Sequence, residues 1–245
     1  MTGSNPVPPT SMDLNILHEN ATLLVVDKPA GIPVWQEEPY QGTTLAQELA
    51  QLRPELQDLN RHGIVHRLDK DTSGVLLVAK TPDALEYFQR QFKEHSVQKT
   101  YQCLVTGSPG KDAGEIRTFI GRAPSDRRKQ KAFPQEGPGR REAITEFRVL
   151  ERFPGFALLK VVPKTGRKHQ IRAHMTYLGH PLAGDKLYSF KNQQVPEGLG
   201  RHFLHAYSLE VQMEDGSREE FISPLPEDLQ SVLEILQKKS HGNSN

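Results

Sequence analysis

Apolar residues along the chain gather in short runs, and the spacing within each run predicts its element. Thr22-Leu23-Leu24-Val25-Val26 and Val75-Leu76-Leu77-Val78-Ala79 are unbroken runs of strand length, which predicts two buried strands. The first is closed by Asp27-Lys28-Pro29-Ala30-Gly31, where Pro and Gly mark a turn. Lys99 to Thr106 alternates, with Tyr101, Cys103 and Val105 on one face of a third strand. Ile144 to Leu150, Phe156 to Val162 and Phe203 to Val211 predict further strands. Helical spacing places Leu45, Leu49 and Leu52 on one face of a short helix from Thr44 to Leu52. Thr81-Pro82-Asp83 opens a second helix with a capping Thr, a Pro at its first position and an acid in its first turn, and Leu85, Phe88 and Phe92 form its stripe. His169 to Leu178 predicts a third, with Ile171, Met175 and Leu178 on one face, Gly179 at its C-terminus and His180-Pro181 forbidding continuation. Leu229, Val232, Leu233 and Leu236 predict a final amphipathic helix. Residues 107–142 break into Gly, Pro and basic positions and read as loops or a short hairpin. Strands in succession with few helices between them predict an α+β fold with a mainly antiparallel sheet.

Composition narrows the class. The chain has 245 residues, of which 36% are hydrophobic, enough for a core at this length. No apolar run approaches the roughly 18 residues of a membrane helix. The opening MTGSNPVPPTSM has neither the basic nor the apolar region of a secretory signal; residues 1–12 read as a disordered tail and 240–245 as a C-terminal tail. The single Cys103 excludes an internal disulfide framework and any Cys-pair zinc site. Together these predict a cytoplasmic protein with no membrane contact.

Lys and Arg total 31 against 30 for Asp and Glu, so net charge alone does not announce a nucleic-acid partner. The distribution says more. Arg117, Arg122, Arg127, Arg128, Lys129, Lys131, Arg140 and Arg141 meet only Asp126 and Glu136 in their segment, whereas 214–234 is acidic apart from Arg218. Either these are two solvated segments, or one face is built for a polyanion.

Two constellations carry candidate chemistry. His66-Arg67-Leu68-Asp69-Lys70-Asp71-Thr72-Ser73-Gly74 sets two carboxylates among three basic groups directly before a buried strand. A calcium loop would fit Asp69, Asp71, Ser73 and Gly74 but needs a Glu where Lys80 stands. A magnesium-dependent phosphotransferase would use Asp69 as nucleophile and Asp71 as acid, yet such enzymes put that pair after the apolar strand, not before it. A single catalytic Asp69 held among cations, or a turn residue with no chemistry, remains open on residue type alone. The second constellation runs from Pro163 to His174 and concentrates Lys164, Arg167, Lys168 and Arg172 where a strand turns into a helix, a suitable place for an anion. His169 and His174 are five apart, so they do not stack as metal ligands on one helical face. Tyr101 is either core or a stacking platform for a base.

Together these segments resemble the RNA pseudouridine synthases of the RluA type, from about Ile16 to about Leu229. Asp27-Lys28-Pro29-Ala30-Gly31 is similar to the family's KPxG turn, and His66 to Asp69 with Thr72-Ser73-Gly74 to its HRLDxxTSG motif. Lys99-Thr100-Tyr101 matches K-x-Y. Thr165-Gly166-Arg167 with His169-Gln170-Ile171-Arg172 and His174, and then Gly179-His180-Pro181, Gly184-Asp185 and Tyr188, match TGRxHQIRxH and GHPxxGDxxY. Leu204-His205-Ala206 and Pro224-Leu225-Pro226 match its closing segments.

The resemblance implies a curved, mixed and mostly antiparallel sheet with flanking helices and a central cleft; many relatives also carry an N-terminal S4-type RNA-binding domain, and the expectation here departs from them, a catalytic domain alone over 13–239. It implies isomerisation of uridine to pseudouridine within ribosomal or transfer RNA, with no metal or organic cofactor, by a monomer needing no obligate protein partner. It implies Asp69 as catalytic carboxylate, Tyr101 against the target base and Arg167 as the basic partner of the Asp. RNA would then be held by Arg67, Lys164, Lys168 and Arg172, and by Arg127, Arg128, Lys129 and Lys131 of the basic insert. A catalytically inactive RNA-binding module is the alternative of a different class.

Overall fold

The computed structural model describes residues 14–36 and 40–242. The expected tail over 1–12 lies outside them. At the other end the last helix, α4 (Glu227–Gly242), continues past Lys239, so the expected C-terminal tail is helical through Gly242.

Among the described residues ten strands join in one sheet. Asn15–Glu19 (β1), Leu23–Lys28 (β2) and Ser73–Ala79 (β3) form one end. Gln98–Thr106 (β4), Ala113–Ala123 (β5), Asp126–Phe133 (β6), Arg141–Phe153 (β7) and Phe156–Pro163 (β8) form the other. Leu204–Gln212 (β9) joins the two, giving the order β1-β2-β3-β9-β4-β8-β7-β5-β6, and Arg218–Ile222 (β10) pairs with β9 off that path. Every pairing is antiparallel except β3 with β9, so the expected α+β class and mainly antiparallel sheet are borne out.

The parallel join is short, Ser73 to His205 and Gly74 to Ala206. Gly74 has a φ of +116°, and any side chain there would run into the Ala206 carbonyl, so only glycine lets the two backbones meet. The join comes immediately after the loop carrying Asp69 and so fixes where that loop emerges.

Burial explains the apolar runs. Leu24, Val26, Leu76 and Val78 face a core shared with α1 (Leu45–Leu52), while Leu23, Val25, Val75 and Leu77 face one shared with α2 (Pro82–Glu94). A strand covered on both faces has no polar alternation to show. Thr44 caps α1 in a reciprocal capping box with Gln47, and Thr81 caps α2, the latter as its sequence predicts. On the far half, α3 (Gln170–Tyr177) lays Ile171 and Met175 against Cys103, Val105, Leu159 and Val161, and α4 covers the other face at Leu104 and Phe203.

The basic insert is a correction. Residues read as loops or a short hairpin form two long strands, β5 and β6. Along β5, Ile116, Thr118 and Ile120 are buried while Glu115 and Arg117 are exposed, a strand alternation that the charges conceal. β6 is the last strand of the sheet, so Arg127, Arg128, Lys129 and Lys131 stand on an edge and not in a loose loop.

Candidate active site

Asp69 sits in a tight turn before β3, where the Thr72 N–H donates to the Asp69 carbonyl at 3.1 Å. Neighbouring elements hold that turn by its backbone. Lys28, at the end of β2, is fully buried, and its Nζ donates to the carbonyls of Pro29 (2.8 Å), Lys70 (3.1 Å) and Thr72 (2.8 Å). Burial lowers the Lys28 pKa to about 7, although the charges of Asp71 and Asp69 act the other way. Arg201 donates to the Asp71 carbonyl at 3.0 Å, and Thr72 Oγ1 hydrogen-bonds His202 Nε2 at 2.9 Å. Leu68 anchors the turn from below in the α1-side core.

The Asp69 side chain is 18% exposed. Its carboxylate accepts from Arg172 Nη1 at 3.1 Å, and His169 Nε2 lies 3.9 Å away. Arg172 also grips Asp185 with two hydrogen bonds, 2.7 Å from Nε and 2.9 Å from Nη2. This fork-on-carboxylate geometry fixes the guanidinium plane. Burial by itself raises the Asp69 pKa, but His169, Arg172 and His202 outweigh it and hold the carboxyl below its ordinary value. His169 and His202 are themselves driven toward the neutral form by burial, so at neutral pH the standing cation beside Asp69 is Arg172.

Arg172 replaces Arg167 as the partner of Asp69. Arg167 lies in the turn before α3, where its Nε donates to the Glu142 carbonyl at 3.0 Å. Both arginines belong to one motif, and the sequence does not show which is turned toward a loop 103 residues away. Arg172, expected as an RNA contact, is only 8% exposed, lines the second cleft and is committed to two carboxylates.

Two clefts meet at Asp69. The first, about 490 Å³, is lined by Tyr101, Lys99, Arg167, His66 and Phe92 among others. The second, about 530 Å³, is lined by Tyr40, Arg128, Asp185 and Arg201 among others. Trp35, Arg67, Lys168 and His169 line both together with Asp69. Tyr101 is half-buried on the β4 face shared with Cys103 and Val105, as the alternation predicts. Burial and the Asp69 charge both push its phenol pKa far up, so it stays protonated. Lys164 does not line either cleft; it pairs with Glu146 at 2.9 Å on the surface. Of the insert, Arg128 alone lines a cleft, and it is also held by Asp126. Among the described residues no three His, Cys, Asp or Glu side chains gather as a metal site requires.

Sequence reading passed over Trp35. It is the single tryptophan of the chain, and the guanidinium carbons of Arg61 and Arg67 stand 5.1 and 5.3 Å from its ring centroid. A lone aromatic just beyond the Pro-Gly turn was the available signal. Tyr188 was visible only as a motif letter. Its hydroxyl accepts from the Gln130 N–H of β6 at 2.7 Å and hydrogen-bonds His169 Nδ1 at 3.0 Å.

Comparison with known proteins places the chain in a family. A family model described as RNA pseudouridylate synthase matches residues 22–177. An uncharacterised RNA pseudouridine synthase of Synechocystis is 38% identical over 94% of this chain and 71% of its own length. The ribosomal large subunit pseudouridine synthase D of Nitrosomonas europaea is 38% identical over 95% of this chain and 68% of its own. Among solved structures, human RNA pseudouridylate synthase domain containing 1 superposes with a TM-score of 0.75 at 27% identity, covering 92% of this chain and 90% of that one. With the family model spanning more than half of its residues and relatives alike along nearly its whole length, the chain belongs to the RNA pseudouridylate synthases, enzymes that isomerise uridine to pseudouridine within RNA.

Proposed function

We propose that Asp69 carries this isomerisation, with Tyr101 against the target base, on ribosomal large-subunit RNA in preference to transfer RNA. The observation that carries the reading is the Asp69 carboxylate, kept ionised by Arg172 where two clefts meet beside Tyr101. Uridine and pseudouridine are isomers. The N1–C1′ bond breaks, the C5–C1′ bond forms, the C5 proton leaves, and a proton ends on N1. No electrons are gained or lost. An ionised carboxylate can attack the nucleotide or take up a proton; the neutral acid can do neither. The uridine must leave the RNA stack to reach Asp69, and an aromatic wall offsets part of that cost. The choice of RNA rests on the name of the Nitrosomonas relative. Transcripts of large-subunit ribosomal RNA and of transfer RNAs, tritiated at uridine C5, test it directly. Release of tritium from the ribosomal transcript is expected, and release from transfer RNA alone overturns the choice.

Tyr101 has two separable assets, a ring and a hydroxyl. Tyr101→Phe is expected to keep RNA affinity and lower turnover. Tyr101→Ala is expected to lose affinity as well, by an amount in the range of base stacking, about 1–3 kcal/mol. Single-turnover rates with parallel binding titrations measure both. Two variants that turn over like the parent would make Tyr101 a core residue.

The edge hairpin is proposed as a grip on the RNA backbone. Replacing Arg127, Arg128, Lys129 and Lys131 with Ala is expected to flatten the slope of log affinity against log salt by up to about 3, at about 0.7–0.9 per phosphate. Target and non-target RNA should weaken alike, since phosphates carry no sequence. An unchanged slope would leave these charges as guards of an open sheet edge.

A further inference from the structure

Most cations around Asp69 are already engaged. Lys28 serves three carbonyls, Arg172 two carboxylates, and Arg201 the Asp228 carboxylate at 2.7 Å. Lys99 is not. It stands near the start of β4, half-buried on the wall of the first cleft, two residues from Tyr101. Among the described residues its ammonium has no hydrogen bond and no ion pair. It reaches over the turn before α3, 3.8 Å from where a side chain on Gly166 would begin. Arg167 follows in that turn. Its Nε is used on the Glu142 carbonyl and its backbone N–H on Gln170 Oε1, leaving its two terminal nitrogens unengaged among the described residues. The Glu142 carboxylate, whose charge also reaches Arg167, is taken by Arg117 at 3.1 Å.

We propose that Lys99 and Arg167 form a seat for one backbone phosphate of the RNA strand, beside the target uridine. The proposal rests on the RNA reading above and adds to it which groups fix the strand at the reacting nucleotide. Two cations on the wall of one cleft repel one another. Burial, and then the Arg167 charge, lower the Lys99 pKa to about 8. Asp69 does not relieve them, because its charge is held by Arg172. An anion with several acceptor oxygens does, and the anion that RNA brings into this cleft is a phosphate. Gly166 leaves the ammonium uncovered on that side. A phosphate held here fixes the sugar beside Tyr101 and Asp69, which line the same wall, and so aligns the glycosidic bond with the carboxylate. This also gives Arg167 a place in the site that does not require it to touch Asp69.

The groups facing Lys99 are Arg167 from the turn before α3, His95 beyond the end of α2 and His66 from the loop before β3. Burial lowers both histidines, so between pH 7 and 8.5 Lys99 is the one among these that titrates. Its charge is present below about pH 8 and fades above it. RNA affinity is therefore expected to fall as pH rises through 8 in the parent. It should fall less in Lys99→Arg, whose charge does not titrate there.

The decisive experiment uses a stem–loop RNA containing one uridine that the parent isomerises. Single methylphosphonate linkages neutralise each phosphate near that uridine in turn, and dissociation constants are measured for the parent, Lys99→Met, Lys99→Arg and Arg167→Gln. One linkage is expected to weaken parent binding roughly tenfold, the scale of a charged hydrogen bond. The same linkage should cost Lys99→Met and Arg167→Gln much less, and Lys99→Arg should behave like the parent. Thermal melts confirm that the variants are folded, and Arg167→Gln carries the test if Lys99→Met is not. The proposal is overturned if every neutral linkage costs parent and variants equally, or if both variants bind unmodified RNA like the parent. Failure of the RNA reading looks different: the parent would isomerise no uridine in any RNA.

Discussion

Asp69→Asn is expected to lower the isomerisation rate by a hundredfold or more, which needs only about 2.7 kcal/mol of barrier. RNA affinity and thermal stability are expected to stay close to those of the parent. The substitution keeps the size of the side chain and one acceptor for Arg172, but removes the charge that attacks or accepts a proton. The fold should tolerate it because Arg172 retains its two hydrogen bonds to Asp185. The Lys28 ammonium still organises the turn through backbone carbonyls, which the substitution leaves in place. Tritium release from C5-labelled uridine, measured beside binding to the same RNA, checks it. Activity within about tenfold of the parent would remove Asp69 from the chemistry, since a sole reacting carboxylate cannot be replaced at so small a barrier.

Arg172→Met should be costlier to the protein as a whole. It strands two carboxylates, of which Asp185 is fully buried and Asp69 mostly so. Breaking a buried pair by removing one partner costs about 3–5 kcal/mol, because the remaining charge is left without compensation. The pH dependence has a defined sign. Both carboxyls have pKa values lowered in the folded protein, so their ion pairs contribute stability above the unfolded value, and that stability is lost as pH falls through the folded values. The stability gap between parent and Arg172→Met should therefore be widest near pH 7 and narrow below about pH 4, near the carboxylate range. Urea melts at the two pH values measure it. Arg172→Lys is expected to recover part of the stability and little of the activity, because one ammonium cannot reproduce a planar fork on Asp185 while reaching Asp69. Arg167→Met is the matching control, with weaker RNA binding and no pH-dependent stability gap. Reversal of the two arginines' behaviour would restore Arg167 as the partner of Asp69.

The local elements of this protein were legible because their causes are local. Thr81 and Pro82 start α2 through contacts within one turn, and Leu85 and Phe88 share a face because a helix repeats every 3.6 residues. Tyr101 falls beside Cys103 and Val105 for the same kind of reason, the two-residue period of a strand. The length and apolarity of Val75 to Ala79 announced a buried strand, and the motif around Asp69 announced a turn. The length of the β5–β6 hairpin was not legible because the Arg and Lys residues of β6 obscure an alternation that burial makes plain only once β5 lies on β7.

What the tertiary structure alone decided are contacts between segments far apart in the chain. Periodicity says which way a side chain points from its own element, but not what another element brings to meet it. The partner of Asp69 is Arg172, 103 residues on, and the support of its turn is Lys28, 42 and 44 residues before the carbonyls of Lys70 and Thr72. Trp35 reaches the meeting of the two clefts, and Lys99 is left without a counter-ion among the described residues, through the same long-range closure. Sequence fixed the residue types available for chemistry; the join of β3 to β9 through Gly74 and Ala206 brought them to one place, because only there does the sheet carry the Asp69 turn up to α3.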